Sequence, residues 1–277
     1  MCELFSLSCN NEIEINDYLK CFYEHCSEHP HGWGIALMDD NKTLLKKQPV
    51  KASESEFLRE FISKPVEARN VFAHIRLATV GCMNCCNCHP FIQKDNNNRT
   101  WTLVHNGTIF SYPPLDKYKR YQSGVTDSER VLLHIVDEIN KAEEDHKLTA
   151  DERFNIIEAI VSKLAKNNKL NLMIYDGSVM YIHTNCEGGI HYLKTERGYL
   201  FSTKSLNCDK RWKHLPINTL YAIEDGQLKR TGKRHENSYH LTDENLRQIL
   251  KSVPIELQES ILRNFKLDPD EYLQTIN

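Results

Sequence analysis

Two stretches constrain the fold more than any other. "NLMIYDGSVMYIHT" (171–184) and "NTLYAIEDGQLKRT" (218–231) each set two apolar runs around an Asp-Gly pair. Asp-Gly between such runs predicts a hairpin, because both residues tolerate the left-handed backbone that a tight turn demands. "VFAHIRLAT" (71–79) alternates, with Val71, Ala73, Ile75 and Leu77 on one face and Phe72, His74, Arg76 and Ala78 on the other. "CELFSLSC" (2–9), "GWGIALMDD" (32–40), "TWTLVHNGTIF" (100–110) and "YLFSTKS" (199–205) read as further strands, and "DDNKT" and "QKDNNNRT" (93–100) as a turn and a surface loop. Helical spacing covers 13–29, 53–63, 127–140 and 149–165, and 242–265 reads as terminal helices broken near Pro254. Ser53 followed by Glu56, and Thr126 followed by Glu129, fit helix-capping boxes. Many strands, some in hairpins, with helices between them, imply helix-covered sheets in an α+β fold.

A chain of 277 residues with a formal net charge of −3 has neither a basic nucleic-acid footprint nor an attraction to membrane surfaces. Its apolar runs are too short for a membrane span and its start has no secretory pattern. Ten cysteines without a signal sequence point to a reducing cytoplasm.

Several stretches carry chemistry, each with a plainer structural alternative. Cys2 follows the initiator methionine; by chance it is one cysteine of many, but with Met1 removed it unites a thiol and a free α-amine in one residue. The glycines flanking Trp33 in "HGWGIA" allow close backbone approach, or only a turn. Arg76, mid-strand among apolar residues, needs a partner: a structural ion pair, or a substrate carboxylate held by its two-pronged guanidinium. Asn106 and Gly107 in "LVHNGTI" could supply two oxyanion donors, or a simple turn. Asp127, in the first turn after Thr126, could bind an ammonium or only complement the helix dipole. In "GCMNCCNCHPF" (81–91) Cys82, Cys85, Cys86, Cys88 and His89 crowd together. Four zinc ligands within eight residues would be cramped and Cys186 and Cys208 are distant, so no metal is expected.

The order of these pieces says more than any one of them. Cys2, "GWGIA", "HIRLATVG" followed by "NCHPF", "HNG" and "TDSE" together resemble the class II glutamine amidotransferases, which are N-terminal-nucleophile hydrolases. The nearest likeness is the stand-alone glutaminase-type branch, whose relatives include γ-glutamyl-peptide hydrolases acting on glutathione or ergothioneine precursors. The resemblance implies a four-layer αββα sandwich forming one glutaminase-type domain over 2–277, with a helical extension from about 241. It implies Cys2 as nucleophile with its α-amine as base, Arg76 on the substrate α-carboxylate, Asp127 on the α-ammonium, and the Asn106 side chain and Gly107 N–H at the oxyanion. Thr79, Trp33 and His105 would line the pocket. Leu77 and Val80 depart from the best-known members, which often carry Trp and His there; both departures suit the stand-alone branch. The implied activity is hydrolysis of a γ-glutamyl amide, glutamine by default, through a Cys2 thioester and without a cofactor. The alternatives are a γ-glutamyl-peptide or γ-glutamyl-amine hydrolase and a non-catalytic partner-binding subunit of the same fold. Any ammonia acceptor, or a metallopeptidase-type partner, would be a separate chain.

Overall fold

The computed structural model describes residues 2–39, 42–78, 83–206, 209–253, 255–265 and 267–270. Two antiparallel sheets stack face to face. The first holds seven strands in the order β11 (Lys213–His214), β9 (His191–Lys194), β10 (Gly198–Ser202), β1 (Glu3–Glu14), β4 (Glu67–Ile75), β2 (Trp33–Asp39), β3 (Lys42–Gln48). The second holds six: β13 (Gln227–Thr231), β12 (Thr219–Glu224), β8 (Met180–Thr184), β7 (Lys169–Tyr175), β6 (Thr100–Thr108), β5 (Phe91–Lys94).

Alternation within the strands builds three of the apolar layers. Leu4, Phe72 and Met38 point inward and meet Val104, Met173 and Ile182 of the second sheet. Phe5, Leu7, Val71, Ala73 and Ile75 point outward and are covered by α1 (Asn16–Glu24) and α2 (Glu56–Ser63) through Leu19, Phe22 and Leu58. On the far side Leu103, Leu172 and Ile174 are covered by α3 (Asp127–Ala142) and α4 (Ala150–Leu164). Helices, sheet, sheet, helices: the molecule is a four-layer αββα sandwich. A fourth cluster lies at one end, where α5 (Asp243–Lys251) and α6 (Ile255–Asn264) pack Leu246, Ile249, Leu250 and Leu262 against Leu77 and Phe110.

Both Asp-Gly hairpins form. Asp225 and Gly226 both take positive φ, 50° and 68°, in the two-residue turn between β12 and β13. The 176–179 turn is longer, and the buried Asp176 carboxylate organises it by accepting from Ser178 N, Val179 N, Tyr181 Oη and Arg153 Nε.

Some boundaries differ from expectation. Residues 13–14 extend β1, so the first helix is shorter than 13–29 and closes in a 3-10 turn over His25–Glu28. Ser55, not Ser53, caps α2, accepting from Leu58 N at 3.0 Å, because Ala52–Glu54 forms its own 3-10 turn first. Thr126 caps α3 as expected, but Glu129 reaches beyond it to Ser123 N and Gly124 N, tying down the preceding loop. β4 ends at Ile75, so Leu77 leaves the strand pattern and joins the end cluster.

Candidate functional site

The site is built at the end of the sandwich where β1 begins. The β1–β4 register sets Glu3 opposite Ile75, which brings Cys2 to the chain just beyond β4. The Cys2 thiol donates to the Leu77 carbonyl at 3.3 Å. Burial pushes the thiol pKa up, and the Arg76 guanidinium pulls against it. The next residue anchors the strand: the Glu3 carboxylate accepts from His25 Nδ1 at 2.8 Å and pairs with Lys204 at 2.7 Å. Burial alone would raise that carboxyl, but the His25 hydrogen bond and the His29 and Lys204 charges outweigh it and hold it low.

Arg76 is buried, and its backbone is pinned from both sides by Arg76 N to Gly32 O, 2.8 Å, and His31 N to Arg76 O, 3.0 Å. His31 Nδ1 also accepts from Ala78 N at 2.9 Å. Burial, with the Arg76 charge beside it, lowers the His31 pKa to about 4, so the ring stays a neutral acceptor. The glycines of "HGWG" serve close approach. Gly32 has φ +145°, and a Cβ there would lie 2.7 Å from Cys88 Sγ; at Gly34 it would lie 2.0 Å from the His89 carbonyl. "HGWG", "HIRLA" and "NCHPF", far apart in sequence, are thus one packed unit around Arg76.

The opposite wall comes from β6. Strand alternation turns Asn106 toward the inter-sheet layer, where its Oδ1 is buried without a hydrogen-bond partner. His105 points the other way, with Nδ1 3.0 Å from Ser128 Oγ and Nε2 3.1 Å from the Lys169 carbonyl. That carbonyl can only accept, so Nε2 carries the proton and Nδ1 accepts from Ser128. Burial lowers the His105 pKa, against the pull of Asp127, and favours this neutral form. Gly107 faces the same carbonyl: a Cβ there would sit 1.9 Å from Lys169 O. Asp127 ties β6 to α3, its Oδ2 accepting from Ile109 N at 2.7 Å and its Oδ1 from Ser128 N at 2.9 Å. β1 and β4 both touch β6 across the inter-sheet layer.

Among the residues expected to line a pocket, Trp33 is placed elsewhere. Its indole lies on the helix-facing side of the sheet, stacked on Phe57 with ring centroids 6.2 Å apart and edge-on to Tyr23. The His105 ring braces the wall from behind. Thr79 lies outside the described residues, as do Val80, Cys82 and Cys208. Cys85, Cys86 and Cys88 are free thiols, and no group of three or more metal-binding side chains occurs among the described residues. Lys169 was not apparent in the sequence. At the polar start of an apolar run it reads as an exposed strand end, yet burial lowers its pKa, against the pull of Cys186 and Cys2.

The stacked sheets, with a cysteine heading the central strand of one and an Asn-Gly pair in the other, define an N-terminal-nucleophile type of fold. Residues 1–199 match the family model of class II glutamine amidotransferases, and the chain belongs to that family. It is 28% identical to MJ1515, an uncharacterized protein of Methanocaldococcus jannaschii, over 97% of this chain and 83% of that one. It is 25% identical to YafJ, a candidate glutamine amidotransferase of Escherichia coli, over 70% of this chain and 76% of that one. The glutamine phosphoribosylpyrophosphate amidotransferase of Bacillus subtilis shares the fold, with a TM-score of 0.63 at 17% identity, over 86% of this chain and 50% of that one. No helix among the described residues is long and apolar enough to cross a membrane.

Proposed function

We propose that this class II glutamine amidotransferase hydrolyses a γ-glutamyl amide, with glutamine the simplest substrate, through a thioester on Cys2. The observation that carries the reading is the placement of the Cys2 thiol: half-buried at the head of β1, held by the Leu77 carbonyl and within reach of the Arg76 charge. With Met1 removed, the neutral α-amine of Cys2 takes the thiol proton. The thiolate attacks the γ-carbonyl carbon, and the oxyanion is stabilised by the Asn106 side-chain amide and the Gly107 N–H. As the C–N bond breaks, the proton held on the amine passes to the leaving nitrogen, which departs as ammonia or an amine. Water then adds to the thioester, gives a proton back to the amine, and releases glutamate while the thiol reforms. Arg76 grips the α-carboxylate with two parallel N–H bonds, which a point-charge cation cannot do. Asp127 takes the α-ammonium on carboxylate lone pairs left over from its two backbone bonds. Trp33 and His105 support these groups by packing.

Intact-mass analysis after incubation with a glutamine-mimicking diazoketone tests the reading. One adduct per processed chain, absent in Cys2→Ala, is expected. A processed wild-type chain that takes no adduct overturns the catalytic reading and favours a non-catalytic subunit of the same fold.

A further inference from the structure

The segment Cys85–Cys88 has no part in the chemistry above, yet it is packed against the elements that carry Arg76 and Asp127. Residues Cys85–Asn87 form a 3-10 turn, capped by the Asn84 side chain and closed by Cys88 N donating to Cys85 O at 3.1 Å. In such a turn, residues three apart lie one above the other with Cα atoms about 6 Å apart. A disulfide spans Cα separations of about 4.4–6.8 Å, so the turn sets Cys85 and Cys88 at bridging distance. Both thiols face the end of β3: Cys85 Sγ lies 3.6 Å from Lys47 O and Cys88 Sγ 3.7 Å from Gln48 O. Cys86, between them, turns aside to Asn84 Oδ1 at 3.2 Å. Cys85 is exposed and Cys88 is fully buried, so one sulfur is open to a reagent and the other lies behind it. Burial pushes the Cys88 thiol up to about 11, with the Arg76 charge pulling against it, so Cys88 keeps its proton until its partner has reacted.

The turn bears on both ends of the glutamyl clamp. Cys88 Sγ lies against Gly32, where a Cβ would be 2.7 Å away, and Gly32 O accepts from Arg76 N at 2.8 Å. One residue earlier, Asn87 Oδ1 accepts from Val125 N at 2.9 Å. Val125 precedes Thr126, the cap of the helix whose first residue is Asp127. Gly124 is packed as closely: a Cβ there would lie 2.3 Å from Asn87 Oδ1 and 2.8 Å from Cys86 O. Lys47 fastens the end of the turn, its ammonium donating to the Cys88 and Pro90 carbonyls at 2.7 and 3.2 Å. Neighbouring residues of one short turn thus brace the backbone before Arg76 and the loop before Asp127.

We infer that Cys85 and Cys88 are a redox-modification site, a dithiol that low-molecular-weight disulfides convert to an intramolecular disulfide, and that this bridge loosens the grip on the glutamyl group. The Cys85 sulfur attacks one sulfur of the reagent, and the first thiol leaves with the Cys85 proton. Cys88 Sγ then attacks the Cys85 sulfur of the mixed disulfide, and the second thiol leaves with the Cys88 proton. The protein loses two hydrogens, and one reagent disulfide is reduced to two thiols. Closing the bridge draws Cys88 Sγ toward Cys85 and off Gly32, and re-aims Asn87 between them. Arg76 and Asp127 then lose their fixed spacing, and a misplacement of about 1 Å can cost roughly 100-fold in rate. The bridge stands on the geometry of the turn; its effect on substrate rests on the roles read above for Arg76 and Asp127.

The test treats the whole protein with glutathione disulfide and maps its cysteines by peptide mass spectrometry. A Cys85–Cys88 bridge, with Cys2 still a free thiol, is expected. kcat/KM for glutamine should fall at least 10-fold, chiefly through KM, and return on reduction with dithiothreitol. Cys85→Ser should keep its reduced-state kcat/KM in glutathione disulfide, and Cys86→Ser should respond as wild type does; melting temperature checks the folding of each. A Cys88 thiol that stays free, or a response that persists in Cys85→Ser, overturns the site. A mapped bridge with unchanged kinetics overturns its link to Arg76 and Asp127. Reduced wild type that neither labels with the diazoketone nor releases glutamate removes the Cys2 reading and the substrate effect with it, while the mapping still decides the bridge.

Discussion

Asp127→Asn separates architecture from substrate binding at a single carboxylate. Ile109 N donates to one Asp127 oxygen at 2.7 Å and Ser128 N to the other at 2.9 Å. Asparagine is nearly the same size but keeps only one acceptor oxygen, so one backbone N–H must face an NH2 donor. A buried donor left without an acceptor costs about 1–3 kcal/mol. At roughly 2 °C per kcal/mol for a chain of this size, melting should fall by about 2–6 °C. Activity should fall further and selectively. A hydrogen bond between charged groups contributes about 1.5–3 kcal/mol, which converts to roughly 10- to 150-fold in kcat/KM for glutamine. Glutaramate, the same γ-amide and carboxylate without the α-ammonium, supplies the control. In coupled glutamate-release and ammonia-release assays, Asp127→Asn should penalise glutamine at least 10-fold more than glutaramate. An equal penalty on both would refute the ammonium contact and leave Asp127 as a brace between β6 and α3. A wild-type melting temperature would refute the hydrogen-bond argument itself.

Two further predictions concern stability. Gly107→Ala places a Cβ 1.9 Å from Lys169 O and 2.4 Å from His105 Nε2, so the β6–β7 ladder must part there. A loss of about 1–3 kcal/mol from overpacking is expected by urea titration, and unchanged stability would contradict that close approach. Acid should destabilise the fold through its buried histidines. Burial holds His31 at about 4 and His183 at about 3, against an ordinary 6.5, so between those values and 6.5 only the unfolded chain takes up the proton. The stabilisation is complete above about pH 6.5 and is lost as pH falls toward 4 and below. Melting temperature should therefore be lower at pH 5 than at pH 7.5, and an equal or higher value at pH 5 would contradict the sign.

Legibility followed the range of the interactions. The Asp225-Gly226 turn and the Thr126 cap are local devices, and both were readable because their partners lie within a few residues. The 71–75 alternation was readable because each face meets a continuous apolar layer. Ser53 and Ser55 were harder to tell apart, since the choice depends on a 3-10 turn formed first. Trp33 lay in a readable motif, but its neighbours Tyr23 and Phe57 come from two helices, so the side on which the ring is buried was not. His105 sits in "HNG", yet its partners Ser128 and Lys169 are contributed by α3 and β7. The terminal helices were legible from their spacing. Their seating on Leu77 was not, because no local pattern links residue 77 to residues 246–262.

The central claim, that Cys2 works through its own α-amine, is tested most directly by blocking that amine. An uncleaved N-terminal tag converts it to an amide, which is not a useful base, while the fold should tolerate the addition at a chain end. Glutamate release should be compared between an N-terminally tagged and a C-terminally tagged protein, each checked for melting temperature and for the mass of its processed N-terminus. The account expects the C-terminally tagged protein, beginning at Cys2, to be active, and the N-terminally blocked one to be folded and nearly inactive, matching Cys2→Ala. Equal activity in the two tagged forms would contradict it.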